Sequence, residues 1–294
     1  MKKINLNDIS SRLYTLSSEE GRTALSRIGK QGQMCFKKFD KEYIEGLKSE
    51  GIDIEKKISD SELFSLPKEI ISPSSMVYLP DGEFVGYCMP YVDGKNLREY
   101  ARGFLSLDEV TEIYRKLERI VKGSSQLVFP DLCSLDNIIV SPKGIRLIDY
   151  DGMQIGEHKT SSISFNLCGS SEGIMEGLLG NKKYCNDGLF TKNIDKRSLA
   201  FLYVLITLGI NLGDIASIKD EDYRKTVLKG ICQLQGLSGT PLEAKLENMF
   251  FSLSDDEYIG SDVLDIRSNY TLGFESSVAP NGQRISYRKL KLKR

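Results

Sequence analysis

The sequence has few of the residues that build metal centres and disulfide frameworks. It contains one histidine and six cysteines in 294 residues, and no two cysteines form a CxxC pair. The cysteines lie far apart, at Cys35, Cys88, Cys133, Cys168, Cys185 and Cys232. We therefore expect neither a zinc site nor a disulfide scaffold, and reduced thiols in the cytoplasm fit this pattern best.

The sequence also lacks a long apolar run and an excess of charge of one sign. The longest apolar stretch, residues 198–212, is about five residues too short for a membrane span and is typical of a buried helix. Lys+Arg and Asp+Glu number 40 and 41, so the overall charge does not indicate a nucleic-acid partner. The start, "MKKINLNDIS", has no apolar segment, and we expect no secretory signal. The last eleven residues, "RISYRKLKLKR", include six Lys or Arg and predict either an anion-contacting segment or a solvated tail or edge strand.

The hydrophobic pattern changes along the chain. Residues 12–39 alternate apolar and polar and predict three antiparallel strands, and the charged residues 41–66 predict helix. Two more strands are expected around a turn at residues 81–82. Farther on, "SLDEVTEIYRKLERIVKGS" has helical spacing, with Ser106 as N-cap and Glu109 completing a capping box. A sheet-rich part followed by a longer helical part suggests two lobes with a ligand-binding cleft between them.

Residues 129–152, "FPDLCSLDNIIVSPKGIRLIDYDG", place four aspartates and an asparagine among short apolar runs. The apolar runs predict two strands, at residues 137–140 and 145–149, around a turn at 141–144. A carboxylate among apolar neighbours is unfavourable unless a cation or a metal ion meets it. This segment is therefore the first candidate for a functional site.

The order of these motifs resembles the protein-kinase fold, and more closely the divergent bacterial kinase-like proteins with IDYDG in place of DFG. The resemblance covers roughly residues 10–270. It implies an α+β, bilobal protein-kinase-like fold, with a small β-rich N-lobe, a larger α-helical C-lobe and an ATP cleft between them. The implied boundaries are 1–91 for the N-lobe, 92–275 for the C-lobe and 276–294 for a basic C-terminal tail.

The resemblance assigns residues to the phosphates of ATP. In "MCFK", Lys37 stands where the kinase strand carries its phosphate-binding lysine. A helical glutamate should hold that lysine, and Glu62 is the best candidate, with Glu55 and Glu69 as rivals. In "LSSEEGRTA", Gly21 is the one glycine kept from the glycine-rich phosphate loop.

The aspartate-rich segment supplies the implied catalytic and metal-binding residues. "FPDLCSLDN" gives Asp131 as the catalytic base and Asn137 as a magnesium ligand, and "LIDYDG" gives Asp149 as the principal magnesium ligand. Asp136 falls at the usual offset from Asp131 and stays open as the alternative to Asn137. Asp195 would support the catalytic loop by bonding its backbone amides.

"GYCMPYVDGKNL" resembles the kinase hinge that binds adenine. Met89 would be the gatekeeper, and Pro90 and Val92 would face the edge of the adenine. Ile139 would pack under the base. These four residues, with Lys37 and Gly21, form the implied nucleotide site.

The resemblance implies an ATP- and Mg²⁺-dependent Ser/Thr protein kinase that phosphorylates hydroxyls of a protein substrate in the cytoplasm. Three departures from the pattern bear most on activity: residues 129–130 are Phe-Pro instead of His-Arg, the phosphate loop keeps one glycine, and no A-P-E motif follows. These departures leave two alternatives open. One is a pseudokinase that acts as a nucleotide-binding signalling module, and the other is a small-molecule phosphotransferase.

Overall fold

The computed structural model describes residues 1–19, 22–101, 105–132, 134–161, 182–208, 221–234, 238–240, 243–244, 247, 270–278 and 284–292. The fold is mixed α+β, with one six-stranded sheet and several helices. The chain forms two compact units. The first comprises Met1–Leu97, Lys122–Leu127 and Asp136–Ile163, and the second comprises Arg98–Val121, Val128–Leu135 and Ser164–Arg294.

The first unit is built on the six-stranded sheet, in the order β1-β5-β6-β4-β3-β2. All neighbours are antiparallel except β1 and β5, which are parallel. The three strands predicted within residues 12–39 and the pair around residues 81–82 are confirmed, whereas β1 was not predicted. The strands are β1 Lys2–Asn5, β2 Leu13–Glu19, β3 Thr23–Ile28, β4 Met34–Phe39, β5 Ser75–Tyr78 and β6 Phe84–Pro90.

Strands β4 and β6 lie at the centre of this sheet. Phe36 of β4 and Cys88 of β6 are cross-strand partners and belong to one apolar cluster with Val77 and Val85. The two strands approach closely at Gly86, where a Cβ would lie 2.0 Å from the backbone oxygen of Lys37. Gly86 also has a φ of 148°, so a side chain is excluded there on two grounds.

Three helices accompany the sheet: α1 Asn7–Ser10, α2 Lys41–Ser49 and α3 Ile54–Ser59. A 3₁₀ turn, Asp60–Leu63, follows α3 directly, so the helical prediction for residues 41–66 is largely confirmed. Asp53 caps α3, because its side chain accepts a hydrogen bond from the Lys56 amide at 2.9 Å. The buried positions of α3 are Ile54, Lys57 and Ile58.

A second small sheet in the first unit carries the aspartate-rich segment. It has the order β10-β9-β7, with β7 Lys95–Asn96, β9 Ile138–Ser141 and β10 Gly144–Leu147. Leu147 is bonded on both sides of its backbone to residues 69–71. This hairpin therefore belongs to the first unit, whereas the predicted boundary at residue 91 assigns it to the C-lobe.

The other helices among the described residues are α4 Leu97–Ala101, α5 Leu107–Lys122, α6 Lys192–Leu208 and α7 Glu221–Leu234. The remaining strands are β8 Leu127–Val128, β11 Gln154–Ile155, β12 Cys185–Asn186, β13 Leu189–Phe190, β14 Tyr270–Val278 and β15 Arg284–Leu292. Strands β14 and β15 pair antiparallel, so most of the segment predicted as a basic tail is a strand. Within the described part of the chain, no helix is long and apolar enough to cross a membrane.

Candidate functional site

Lys37 of β4 is the centre of a charged cluster in the first unit. Its ammonium donates to Asp149 Oδ1 and to both carboxylate oxygens of Asp151, at 2.7 and 3.0 Å for the latter. The three side chains are largely buried, with 12% of Lys37, 18% of Asp149 and 3% of Asp151 exposed. Burying two carboxylates is unfavourable unless a cation pairs with them, and the Lys37 ammonium pairs with both.

The backbone after β10 turns sharply to present both carboxylates. Asp149 has φ 70° and ψ 52°, a left-handed conformation, and a 3₁₀ turn at Tyr150–Gly152 follows it. The Gly152 amide closes this turn on the Asp149 carbonyl at 3.0 Å, while the side chain of Tyr150 is fully buried. A non-glycine residue held in this conformation is a recurrent feature of functional sites.

The two aspartates have different surroundings. Asp151 also accepts a hydrogen bond from the hydroxyl of the buried Tyr87 at 2.7 Å. The second oxygen of Asp149 lies 3.5 Å from Asn137 Nδ2. Asp151 is thus committed to protein partners, whereas Asp149 keeps the more accessible carboxylate.

The pKa values of the cluster follow from this arrangement. Burial and the neighbouring charge of Asp151 raise the pKa of Asp149, although Lys37 opposes both effects. Burial would also raise the pKa of Asp151, but Lys37 and the Tyr87 hydroxyl outweigh it and lower that pKa. The pKa of Lys37 is raised despite burial, because the two carboxylates stabilise its charged form.

Lys57 of α3 is a second buried lysine beside this turn. Its ammonium donates to the backbone oxygens of Asp151 at 2.7 Å, of Lys159 at 3.0 Å and of Met153. Burial lowers the pKa of Lys57 to about 7, opposed by the charge of Asp151. The three N–H donors of the Lys57 ammonium equal the three carbonyl oxygens that accept from it. Helix α3 therefore holds the backbone that follows Asp149.

Asn137 lies where the aspartate-rich segment enters β9. Its carbonyl accepts a hydrogen bond from the Ile148 amide at 2.9 Å, which brings the two ends of the hairpin together. Its side chain is half-buried next to Asp149, while the side chain of Asp136 is exposed. Of the two candidates left open by the sequence, Asn137 has the geometry of a partner for Asp149.

The predicted ion pair between Lys37 and Glu62 is not formed. Helix α3 ends before Glu62, and the 3₁₀ turn directs this side chain outward, where it is 63% exposed and pairs with the Met1 amino group at 2.9 Å. The rival Glu55 accepts a hydrogen bond from the Tyr78 hydroxyl at 3.0 Å. The third candidate, Glu69, lies on the segment bonded to β10.

The predicted hinge residues lie around the end of β6. Met89 is buried, Pro90 ends the strand with its side chain exposed, and Val92 follows half-buried. Ile139 of β9 is half-buried, and the hinge segment packs against it at Gly94, where a Cβ would lie 2.8 Å from the Ile139 side chain. The first unit thus contains the predicted adenine-binding residues and the charged cluster.

No family model and no curated protein matches this chain.

The described residues contain no group of three or more His, Cys, Asp or Glu side chains that could enclose a metal ion. Asp149 nevertheless offers a carboxylate at the cluster. The Asn137 amide lies beside it with Nδ2 facing Asp149, and its oxygen takes that position when the amide group is flipped. Magnesium binds through one or two protein carboxylates and takes its other ligands from phosphate oxygens and water. The two residues fit such a shared site and do not fit an all-protein cage.

Asp131 lies in the second unit, on a turn that helix α6 supports. Asp195, fully buried in the first turn of α6, accepts a hydrogen bond from the Phe129 amide at 2.6 Å. Ser198, one turn farther along, donates to the Pro130 carbonyl at 3.1 Å. The predicted hydrogen bond from a backbone amide of this segment to Asp195 is present, and it fixes the backbone immediately before Asp131. The predicted phosphate-loop residue Gly21 lies outside the described residues.

Three residues of the cluster were missed by sequence reasoning: Lys57, Tyr87 and Asp151. The sequence does contain a signal for Lys57, because Ile54 and Ile58 place it on the apolar face of a helix. Asp151 follows Asp149 by two residues, but this spacing alone does not predict that both carboxylates contact Lys37. Nothing in the sequence distinguishes Tyr87 from an ordinary core tyrosine.

Proposed function

We propose that this protein is an ATP- and Mg²⁺-dependent kinase that transfers the γ-phosphoryl group to a hydroxyl, of the Ser/Thr protein-kinase type and with a bilobal kinase-like fold. One observation carries the proposal: Lys37, Asn137 and Asp149 meet in one cluster although Lys37 is 112 residues from Asp149. Phosphoryl transfer requires a cation that binds the phosphates and oxygen ligands that bind the magnesium ion, and these three residue types can supply both.

Lys37 is suited to binding the phosphates of ATP. It is charged, because two carboxylates stabilise the ammonium, and its side chain keeps some exposure to solvent. In a largely buried setting, its attraction to a phosphate oxygen is stronger than it would be in water. We assign Lys37 to the α- and β-phosphates.

Asp149 and Asn137 would hold the magnesium ion together with phosphate oxygens and water. The bound ion supplies charge neutralisation on the triphosphate. Asp149 is suited to this role because it is the more exposed of the two carboxylates. Lys37 bonds to one oxygen of Asp149, whereas Lys37 and Tyr87 together bond to both oxygens of Asp151. Met89, Pro90, Val92 and Ile139 would bind the adenine.

Asp131 would orient the acceptor hydroxyl and accept its proton. Its turn is held from α6 by Asp195 and Ser198, which gives the carboxylate a fixed backbone. A protein substrate and a cytoplasmic location complete the proposal. The location is supported by the four described cysteines, which are all buried free thiols.

The proposal is tested by incubating the purified protein with γ-labelled ATP and Mg²⁺. We expect label on the protein itself, and a loss of about 100-fold or more in transfer rate for Asp149→Asn and Lys37→Met, because electrostatic stabilisation provides most of this catalysis. Lys38→Met is the matched control, since Lys38 is the exposed neighbour on the same strand. Full labelling of the Asp149→Asn variant would contradict the proposal.

A nucleotide-binding module without phosphate transfer is the second candidate. The observation that favours it is that the Lys37 ammonium is bonded to both carboxylates, so that it must share or leave Asp149 when phosphate binds. Thermal stabilisation by Mg-ATP with no transfer of label would select this candidate over the kinase.

A further inference from the structure

A phosphate-binding lysine on a strand needs a fixed counter-ion, because a free lysine side chain samples many rotamers. The expected counter-ion, Glu62, is exposed and pairs with the chain's own N-terminus. Lys37 instead finds both of its carboxylates on the short turn that follows β10.

We propose that Asp151 is the positioning residue of Lys37, in place of a helical glutamate, and that Lys57 of α3 fixes the backbone of Asp151. The inference rests on the proposed function, since it assigns to Asp151 the task of aiming Lys37 at the phosphates.

The contacts of Asp151 are those of a positioning group. Both of its oxygens accept from the Lys37 ammonium, which restrains that ammonium more than a single contact does. Tyr87, the cross-strand partner of Lys37, donates to the same carboxylate. The carboxylate therefore bridges the side chains of neighbouring positions on β4 and β6, with only 3% of it exposed.

The backbone of Asp151 is fixed as firmly as its side chain. Its carbonyl accepts from Lys57 at 2.7 Å and from the Ser161 hydroxyl at 2.9 Å. Helix α3 therefore contributes a cation that holds carbonyls, where a helical glutamate would contribute a carboxylate that holds Lys37. A carboxylate at position 57 would instead add a third negative charge beside Asp149 and Asp151.

This arrangement has a consequence for regulation of the site. The counter-ion of Lys37 and the magnesium ligand Asp149 lie two residues apart on one turn. Displacement of that turn would disturb the phosphate-binding and metal-binding residues together. Displacement of α3 would act on Asp151, and so on Lys37, through the carbonyls that Lys57 holds.

The test compares Asp151→Asn with Glu62→Gln, two isosteric changes that each remove one carboxylate charge. The first readout needs no nucleotide: purified variants are exposed to a small amine-acylating ester, and acylation of Lys37 is followed by peptide mass spectrometry. An ammonium held by carboxylate oxygens reacts slowly, so release of Lys37 increases its labelling. The second readout is kcat/KM for Mg-ATP.

We expect Asp151→Asn to increase Lys37 labelling several-fold and to lower kcat/KM by about 10- to 100-fold, as supporting groups of this kind do. Glu62→Gln should leave both within about twofold, as expected for an exposed site. Increased labelling in Glu62→Gln, or unchanged labelling in folded Asp151→Asn, would overturn the assignment. If the wild-type protein neither binds nor uses ATP, the proposed function fails, while the labelling comparison still decides the role of Asp151.

Two further variants keep the test decisive if Asp151→Asn does not fold. Tyr87→Phe removes one hydrogen bond to Asp151 and leaves every charge in place, and we expect a smaller increase in Lys37 labelling. Asp151→Glu restores the carboxylate charge, so Lys37 should be labelled more slowly in this variant than in Asp151→Asn. If Asp151→Asn is unfolded, the comparison is with Tyr87→Phe, and Lys37 should be labelled no faster in Asp151→Glu than in Tyr87→Phe. Wild-type labelling in a folded Tyr87→Phe variant would count against the proposal.

Discussion

Lys57 shows how one residue can organise a charged cluster without touching its carboxylates. It lies between Ile54 and Ile58 on the buried side of α3 and gives its donors to three backbone oxygens. An unpaired buried lysine would lose its charge, but carbonyl oxygens on one side and two aspartates nearby favour the ammonium. The helix is thereby tied to the turn that carries Asp149 and Asp151.

Replacing Lys57 by methionine should destabilise the protein by about 2–3 kcal/mol, because the three carbonyl oxygens around the buried ammonium lose their hydrogen-bond donor. Removing the cost of burying the lysine charge offsets part of this loss. Lys56→Met is the control, since Lys56 is the exposed neighbour on the same helix, and its effect should stay within about 0.5 kcal/mol. Urea denaturation measures both free energies of unfolding. Equal stability of the two variants would show that the Lys57 contacts contribute nothing.

At the residue scale, the resemblance to the kinase motifs was enough to single out Lys37, Asn137 and Asp149, and the structure brings these three residues into one cluster. The resemblance was not enough to identify the partner of Lys37. That choice depends on where α3 ends and on the left-handed turn at Asp149, and neither is encoded in a short motif. Glu62 has the right spacing in sequence but lies beyond the end of the helix.

At the element scale, strong periodicity predicted strands and helices well. The alternating residues 12–39 form three antiparallel strands, and the capped apolar pattern after Ser106 forms α5. Strand β1 was missed because four largely exposed residues carry no periodic signal, and its parallel pairing with β5 is a long-range contact. The basic segment of β15 has alternating apolar residues, but its charge made a solvated tail an equally good interpretation.

The capping box of α5 provides a prediction at this scale. The Ser106 hydroxyl accepts from the Glu109 amide at 3.2 Å, and the Glu109 carboxylate accepts from the Ser106 amide at 2.9 Å. Ser106→Ala should therefore cost about 1 kcal/mol of stability, measured by urea denaturation followed by circular dichroism. Ser106→Thr keeps a hydroxyl at the cap and should cost less than half as much. A threonine variant as unstable as the alanine variant would argue against the cap.

At the scale of the whole molecule, the division of the chain was only partly predictable. The sequence places a boundary near residue 91, because composition changes from sheet-like to helical there. The β9–β10 hairpin nevertheless belongs to the first unit, because it pairs with β7 and bonds to residues 69–71. Such pairings join segments far apart in sequence, and local patterns do not record them.

The pH dependence of stability is a property of the whole molecule to which Asp195 makes an identifiable contribution. Burial raises the pKa of Asp195 from 3.8 to about 6, although Lys192 and the Phe129 amide oppose this shift. Between these pH values the folded protein binds a proton that the unfolded chain releases. This contribution to stability is therefore fully present below pH 3.8 and is lost as the pH rises to about 6, by about 3 kcal/mol.

Asp195→Asn should remove this contribution while its side-chain oxygen still accepts from the Phe129 amide. We expect the difference in unfolding free energy between wild type and variant to change by about 2.4 kcal/mol from pH 4 to pH 7, most of the full effect. Lys192→Met should act in the opposite direction and steepen the loss, because it removes the cation 2.8 Å from Asp195. Urea titrations across this range isolate the contribution of Asp195 when the unfolding free energy of the variant is subtracted from that of the wild type at each pH. Lys57 interferes little, because its pKa is lowered to about 7 and it titrates above most of this pH range. Parallel curves for wild type and Asp195→Asn would mean that Asp195 is ionised at the same pH in the folded and unfolded chains, and that its burial in the first turn of α6 carries no electrostatic cost.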